Sequence, residues 1–270
     1  MAKSTARCYD GLMYFNDADS FKSLCGYDID GTWYPRVTKI LEIKSKPALY
    51  YYYAEAANYK SAQEATQKSA AEGTLIHETV EKIMVGENPP VDSSIKPAVD
   101  AYRMFVDEKN IQVAPEYVEK RVIHYDHRYA GTIDALALID GKFGVLDIKT
   151  SQSIYRDYNL QTAAYMDPLS KELTSLQTRW ILRIDQNKVC KRCGATLRQK
   201  GGRDKIRAAK FSNGNRACPE AEHDWGETKG VIELKEFPYW RQDFEAFLSA
   251  KKLWEWEHEY WLKTVGYSSR

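Results

Sequence analysis

Residues 116–149 read EYVEKRVIHYDHRYAGTIDALALIDGKFGVLDIK, and the grain of this stretch decides the fold. Segments 117–125, 129–140 and 143–149 are rich in Val, Ile, Leu and Tyr and are divided by turn residues, with Asp140-Gly141 between the last two. That pattern predicts three strands in a meander. Downstream, 154–166 reads as a helix, while 176–185 and 230–237 return to strand. A long amphipathic helix is expected over 239–260, where Trp240, Phe244, Phe247, Leu248 and Trp254 recur at helical intervals. Upstream, 95–108 spaces Ile95, Val99, Tyr102, Phe105 and Val106 close to a period of 3.6. Residues 37–84 are rich in helix formers and should make several helices, broken at Pro47 and Gly73. Residues 1–36, punctuated by Cys25-Gly26 and Asp30-Gly31, read as irregular or hairpin-like. Strands interleaved with helices predict an α/β fold, a mixed central sheet flanked by helices.

The chain has 270 residues and a mass of 31.1 kDa, long enough to bury a core without disulfides. Apolar residues make up 43% and charged residues 29%, which excludes a disordered or fibrous chain. A mean hydropathy of -0.58 and the lack of a long apolar run exclude a transmembrane helix. The N-terminus has too short an apolar stretch for a signal peptide, so a cytoplasmic, non-secreted protein with reduced cysteines is expected. The net charge of +1 conceals a division. Residues 188–216 hold ten Lys or Arg against Asp204 alone, an excess of nine positive charges, which leaves -8 on the rest. A basic module on an acidic body points to a polyanionic partner. Four segments are expected: an irregular 1–36, a core over 37–187 with a helical N-terminal part, a basic insertion over 188–228, and a final strand and helix over 229–270.

Two strand carboxylates, Asp134 in Gly-Thr-Ile-Asp and Asp147 in Asp-Ile-Lys, flank one tight turn, so antiparallel pairing can bring them together. Strand alternation puts Asp147 and Lys149 on one face and Ile148 on the other. An acid pair beside a lysine suits metal-assisted phosphodiester hydrolysis: the carboxylates hold hard cations, and the lysine orients water or stabilises developing charge. Asp-x-Lys alone is common, and more often an exposed strand than a site.

The surrounding motifs change that balance. Gly73-Thr74-Leu75-Ile76-His77-Glu78, Gly131-Thr132-Ile133-Asp134, Asp147-Ile148-Lys149 and Gln161-Thr162-Ala163-Ala164-Tyr165 occur in this order. Together they resemble the RecB-like branch of the PD-(D/E)xK nuclease superfamily, and within it the phage-type and mitochondrial genome maintenance exonucleases. The resemblance spans roughly residues 47–185. It implies a restriction-endonuclease-like fold and a two-metal, Mg- or Mn-dependent deoxyribonuclease, with His77, Asp134, Asp147 and the Ile148 carbonyl as metal ligands and Lys149 serving the water. It further implies that Glu119 supplies an additional acid, and that Gln161 and Tyr165 reach the nucleotide or orient the lysine. Glu81, one helical turn beyond His77, is placed either to hold the free ring nitrogen or to face solvent.

The basic stretch carries a second signal. Cys190-Lys191-Arg192-Cys193-Gly194 has the spacing of a zinc knuckle, and Cys218 with His223 can close a tetrahedral Cys3His site in a zinc-ribbon-like insertion. The alternatives are an iron–sulfur cluster, as some RecB-like nucleases carry, with Cys25 or Cys8 replacing His223, or unrelated thiols. Lys200, Arg203 and Lys205 are expected to grip a DNA backbone, with aromatics stacking on unpaired bases. Of Tyr50–Tyr53, at least two are expected in the core. His124, His127 and His258 show no ligand spacing. The function expected is exonucleolytic cleavage of single-stranded or end-bearing DNA; a structure-selective endonuclease and a catalytically silent nucleic-acid-binding module are the alternatives.

Overall fold

In the computed structural model, residues 8–9, 12–13, 15–209, 218–219 and 222–267 are described. Strands β1 (Cys8–Tyr9) and β2 (Leu12–Met13) pair antiparallel ahead of helix α1 (Ala18–Cys25). Asp17 caps α1, its Oδ1 accepting the Ser20 N–H at 2.7 Å. Strands β3 (Gly26–Ile29) and β4 (Thr32–Pro35) form a hairpin around Asp30-Gly31. The N-terminal segment therefore contains the expected hairpin, together with a capped helix that the irregular reading lacks.

Helices α2 (Val37–Ile40), α3 (Pro47–Glu55), α4 (Tyr59–Met84) and α5 (Lys96–Lys109) follow. Pro47 opens α3, as the ring's fixed φ favours. Gly73 does not end a helix, contrary to expectation: α4 runs through it for 26 residues. A Cβ at Gly73 would lie 2.6 Å from Thr150 Oγ1, so the missing side chain permits a close approach to the chain after 149.

The central sheet runs β5 (Gln112–Val113), β8 (Ala135–Ile139), β9 (Lys142–Lys149), β10 (Thr178–Val189), β13 (Lys229–Glu236). Strands β9 and β10 are parallel and joined through helix α6 (Tyr158–Glu172); the other pairs are antiparallel. It is a mixed sheet in an α/β fold. One face buries Leu136 and Val145 against α1, α6, α7 (Arg241–Glu257) and α8 (Glu259–Thr264). The other buries Leu146, Ile148, Leu182 and Ile184 against Ile76 and Val80 of α4 and Val99 and Tyr102 of α5. The C-terminal helix breaks at His258 rather than running unbroken to residue 260.

The expected three-strand meander is instead two hairpins. Strands β6 (Arg121–His124) and β7 (Tyr129–Thr132) pair with each other, outside the central sheet. The backbone explains the division: Ile133 N–H donates to Lys120 O, and Glu119 N–H donates to Asp134 O, each at 3.0 Å. These bonds close the first hairpin at its root, and the free edge of β8 is taken by β5.

Helix α6 contains Pro168, which has no N–H for the Ala164 carbonyl one turn earlier. Tyr129 supplies the donor from β7, its hydroxyl 2.8 Å from Ala164 O. Buried Arg179 knits the same region together: it donates to Asn159 O at 2.5 Å and Phe237 O at 3.1 Å, and pairs with Asp243.

Strands β10 and β13 are neighbours, and the basic stretch is an insertion between them. The last residues of β10, Lys188 and Val189, pair with β11 (Thr196–Lys200), which pairs with β12 (Arg203–Arg207). Residues 210–217 of that stretch lie outside the described residues. No helix among the described residues is long and apolar enough to cross a membrane.

Candidate functional site

Burial of Ile76 and Val80 against the sheet fixes the rotation of α4 and brings His77 and Glu81 to the end of β8 and β9. Asp134 stands just before β8, and Ala135 pairs with Leu146, so Asp134 lies beside the Asp147 end of β9. Asp134 Oδ2 accepts the Ile148 N–H at 2.5 Å and lies 3.2 Å from His77 Nε2. His77 Nδ1 meets the Glu81 carboxylate. Strand alternation holds as expected: Ile148 faces the α4 side, and Lys149 Nζ lies 2.6 Å from Asp147 Oδ2 on the other. Asp147 is 1% exposed, and its Oδ1 has no hydrogen-bond partner among the described residues.

Glu119 belongs to no strand, contrary to expectation. It occupies a turn ahead of β6 with φ 52°, a left-handed conformation that bends the chain toward α4. His77, Glu81 and Glu119 each place one ligand atom within 4.8 Å of the others. Glu81 is thus part of the donor group itself. Its signal in the sequence is the i,i+4 spacing from His77.

The electrostatics record crowding of negative charge. Burial, then the charge of Glu81 and Asp134, pushes Glu119 up to about 7. Burial also raises Asp147, against the pull of Lys149. Burial opposes the charged forms of His77, Asp134 and Lys149, yet their partners prevail. Asp134 and Glu81 push His77 up to about 10, His77 and Lys149 hold Asp134 below its ordinary value, and Asp147 with Asp134 holds Lys149 above its own. An orphaned buried carboxylate oxygen and a carboxyl raised by its acidic neighbours suit a divalent cation, and oxygen donors with one imidazole suit Mg or Mn.

Gln161 Nε2 donates to Tyr165 Oη at 3.3 Å. Tyr165 is only 2% exposed, a placement that offers no surface to a nucleotide and leaves the other expected role, orienting its neighbours in the site. Its ring fills the space where Gly131 lacks a side chain, 2.4 Å from the position a Cβ would take. The second and fourth motifs are thereby packed together, as Gly73 and Thr150 join the first to the third.

Lys200 also departs from expectation. It is 8% exposed, and its Nζ donates to Thr150 O at 2.6 Å, with burial pulling it down to about 8. Arg198 Nη2 donates to the same carbonyl at 2.9 Å, while its Nε lies 2.7 Å from Asp185. The insertion is therefore bolted to the residue after Lys149, a role no sequence spacing signals. Arg203 lies over the Tyr52 ring at 4.4 Å and reaches Ser69 Oγ, and Lys205 is exposed on β12. None of the Tyr50–Tyr53 side chains is buried, because α3 buries no residue at all.

Cys190, Cys193, Cys218 and His223 converge within 4.8 Å. The Cys193 Sγ to His223 Nδ1 distance is 3.5 Å, Gly194 N–H closes the knuckle on Cys190 O at 2.9 Å, and Trp225 stacks on His223. Burial opposes the Cys190 thiolate, but the Cys193 N–H and His223 bring it down to about 6; burial and the neighbouring sulfurs push Cys218 up to about 11. Three thiols and an imidazole competing for protons at one point suit a tetrahedral zinc-type dication. Cys25, the last residue of α1, is buried in the same core cluster as Phe21, outside this group; the Cys8 side chain lies outside the described residues. His124 is structural: its Nδ1 accepts the His127 N–H, and its Nε2 donates to Asp167 at 2.8 Å.

No family model and no curated protein matches the chain. Among solved structures, one titled as the crystal structure of SSO0001 is similar at 16% identity over 68% of this chain and 78% of that one. Its TM-score of 0.25 is too low to carry an argument about fold or chemistry.

Proposed function

We propose that the chain is a metal-dependent deoxyribonuclease of the RecB-like PD-(D/E)xK superfamily, with a restriction-endonuclease-like core, acting as an exonuclease on single-stranded or end-bearing DNA. The observation that carries this reading is the Asp147–Lys149 pair, buried beside Asp134, with one carboxylate oxygen unpartnered and His77, Glu81 and Glu119 next to it. His77, Asp134, Asp147, Glu119 and the Ile148 carbonyl would hold Mg or Mn. Such a cation, when bound, supplies the charge that polarises a phosphodiester and acidifies water.

The protein's own groups do the remaining work. Asp134 fixes the Ile148 amide and thereby the end of β9. Lys149 is held as an ammonium by two carboxylates, which makes it a stabiliser of developing phosphate charge and an orienter of water rather than a base. Glu119, raised to about 7 by burial and its acidic neighbours, is placed to give up its proton as a cation takes its carboxylate. Cys190, Cys193, Cys218 and His223 bind a structural zinc that orders the insertion, and Arg203 and Lys205 offer positive charge to the DNA backbone. A reduced, cytoplasmic setting fits these free cysteines.

The reading is tested by incubating the protein with end-labelled linear and with circular single-stranded DNA, with and without magnesium. Linear strands should shorten from an end only with the cation, and circles should persist. Cleaved circles would favour an endonuclease.

A further inference from the structure

A cavity opens beside the candidate active site, outside the donor group. It is a cleft of about 610 Å³ between the α2–α3 segment and the start of α6, lined by Leu41, Lys46, Leu49, Tyr155, Tyr158 and Gln161 among others. That volume lies in the range of small-ligand sites. We propose that this cleft receives one unpaired nucleobase of a DNA strand whose adjoining phosphodiester lies at Lys149; the proposal rests on the nuclease reading above and specifies its substrate as single-stranded.

The chemistry of the walls points to a flat, partly apolar ring attached to an anion. Leu41 and Leu49 make the α2–α3 wall apolar, and Leu160 adds to it from α6. Tyr155, 48% exposed, lines the cleft edge-on to Tyr158 with ring centroids 5.8 Å apart and offers a face on which a base can stack. The charged lining residues are Glu42, Lys44, Lys46 and Asp157; Lys44 pairs with Asp157 at 2.6 Å and Glu42 with Lys39 at 2.8 Å, which leaves the exposed Lys46 to meet a phosphate chain leaving the cleft.

Continuity with the active site fixes the occupant. Tyr158 lines the cleft and also lies under Lys149 Nζ, 5.2 Å from its ring centre. Gln161 lines the cleft and holds Tyr165 Oη, behind the Asp147 carboxylate. A ligand ring in the cleft is thus separated from the catalytic lysine by a single tyrosine. A base still in a duplex has both faces stacked and its edge paired, so only an unpaired one can enter.

The test uses the full-length protein with divalent cation withheld and measures fluorescence anisotropy of a labelled short oligothymidylate, of the same strand with an abasic residue at each position in turn, and of a matched duplex. The single strand should bind more tightly than the duplex, and one abasic position should cost about tenfold, the scale of one lost base stack. Tyr155→Ala should lose about the same factor and become indifferent to the abasic residue, whereas Tyr155→Phe should behave as the parent. Parental binding by Tyr155→Ala, or tolerance of an abasic residue at every position, would overturn the cleft's role. Adding magnesium to the same strands separates the two claims. Cleavage that ignores abasic sites keeps the nuclease and removes the base cleft; base-dependent binding without cleavage keeps the cleft and removes the nuclease.

Discussion

Asp134 Oδ2 lies 3.2 Å from His77 Nε2 while accepting the Ile148 amide at 2.5 Å, so one carboxylate ties helix α4 to the end of strand β9. The Asp147–Lys149 pair is therefore set by strand β9, the imidazole by the packing of α4 on the sheet, and Asp134 joins the two. In the absence of a cation, His77 is held protonated between two carboxylates.

Cation binding at this site should therefore release protons. His77 must give up the proton on the nitrogen that would ligate, at any pH below about 10, and Glu119 must give up its own below about 7. Manganese affinity measured by calorimetry should rise with pH, more steeply below about 7 than above it. Glu119→Gln should weaken binding and reduce the extra steepness, leaving the part below about 6 that Asp147 contributes; an unchanged pH profile in that variant would place Glu119 outside the site.

The purified protein should contain stoichiometric zinc. Cys193→Ser or His223→Ala should lose it and open residues 188–228 to proteases, because this insertion has only a small buried cluster around Cys190, Cys193 and Ala195. Stoichiometric iron with visible absorbance would instead support the cluster alternative.

Tyr129→Phe removes the donor that serves the Ala164 carbonyl opposite Pro168. It should cost about 1–3 kcal/mol of stability, the penalty for an unpaired buried carbonyl. Adding Pro168→Ala restores a backbone N–H, so denaturant titration of the double variant should show a smaller loss than the sum of the two single changes.

Charge reversal at Arg203 and Lys205 should weaken single-strand binding alike for all sequences and flatten its dependence on salt. Lys200→Glu belongs to a different class. It breaks the bond to Thr150 O, and thermal melting should show a lower Tm even without DNA.

Alternation in Val145–Lys149 set which side chains share a face, because the period of a strand is local and the core enforces it. The Asp140-Gly141 turn likewise fixed the β8–β9 pairing that brings Asp134 to Asp147. The break at Ile133-Asp134 was not legible, since it depends on backbone bonds to Lys120 and Glu119 from another segment. The fates of Lys200 and Tyr165 were hidden for the same reason. A lysine in a basic run reads as solvated, yet Thr150 O draws this one inward, and Tyr165 is buried because Gly131 leaves room for its ring. Gly73 read as a helix breaker because propensity is local, whereas its use here is a contact with Thr150, distant in sequence.

In the proposed nuclease, Lys149 and Asp147 act together in metal-dependent phosphodiester cleavage. The most direct test of that joint action is single-turnover cleavage of end-labelled linear single-stranded DNA in magnesium or manganese by the parent protein and by Lys149→Ala, with circular dichroism confirming that the variant is folded. Cation-dependent shortening by the parent is expected, with a loss of roughly a thousandfold or more in the variant, as when a stabiliser of transition-state charge is removed. No cation-dependent cleavage by the parent, or an equal rate from the folded variant, would contradict that joint action.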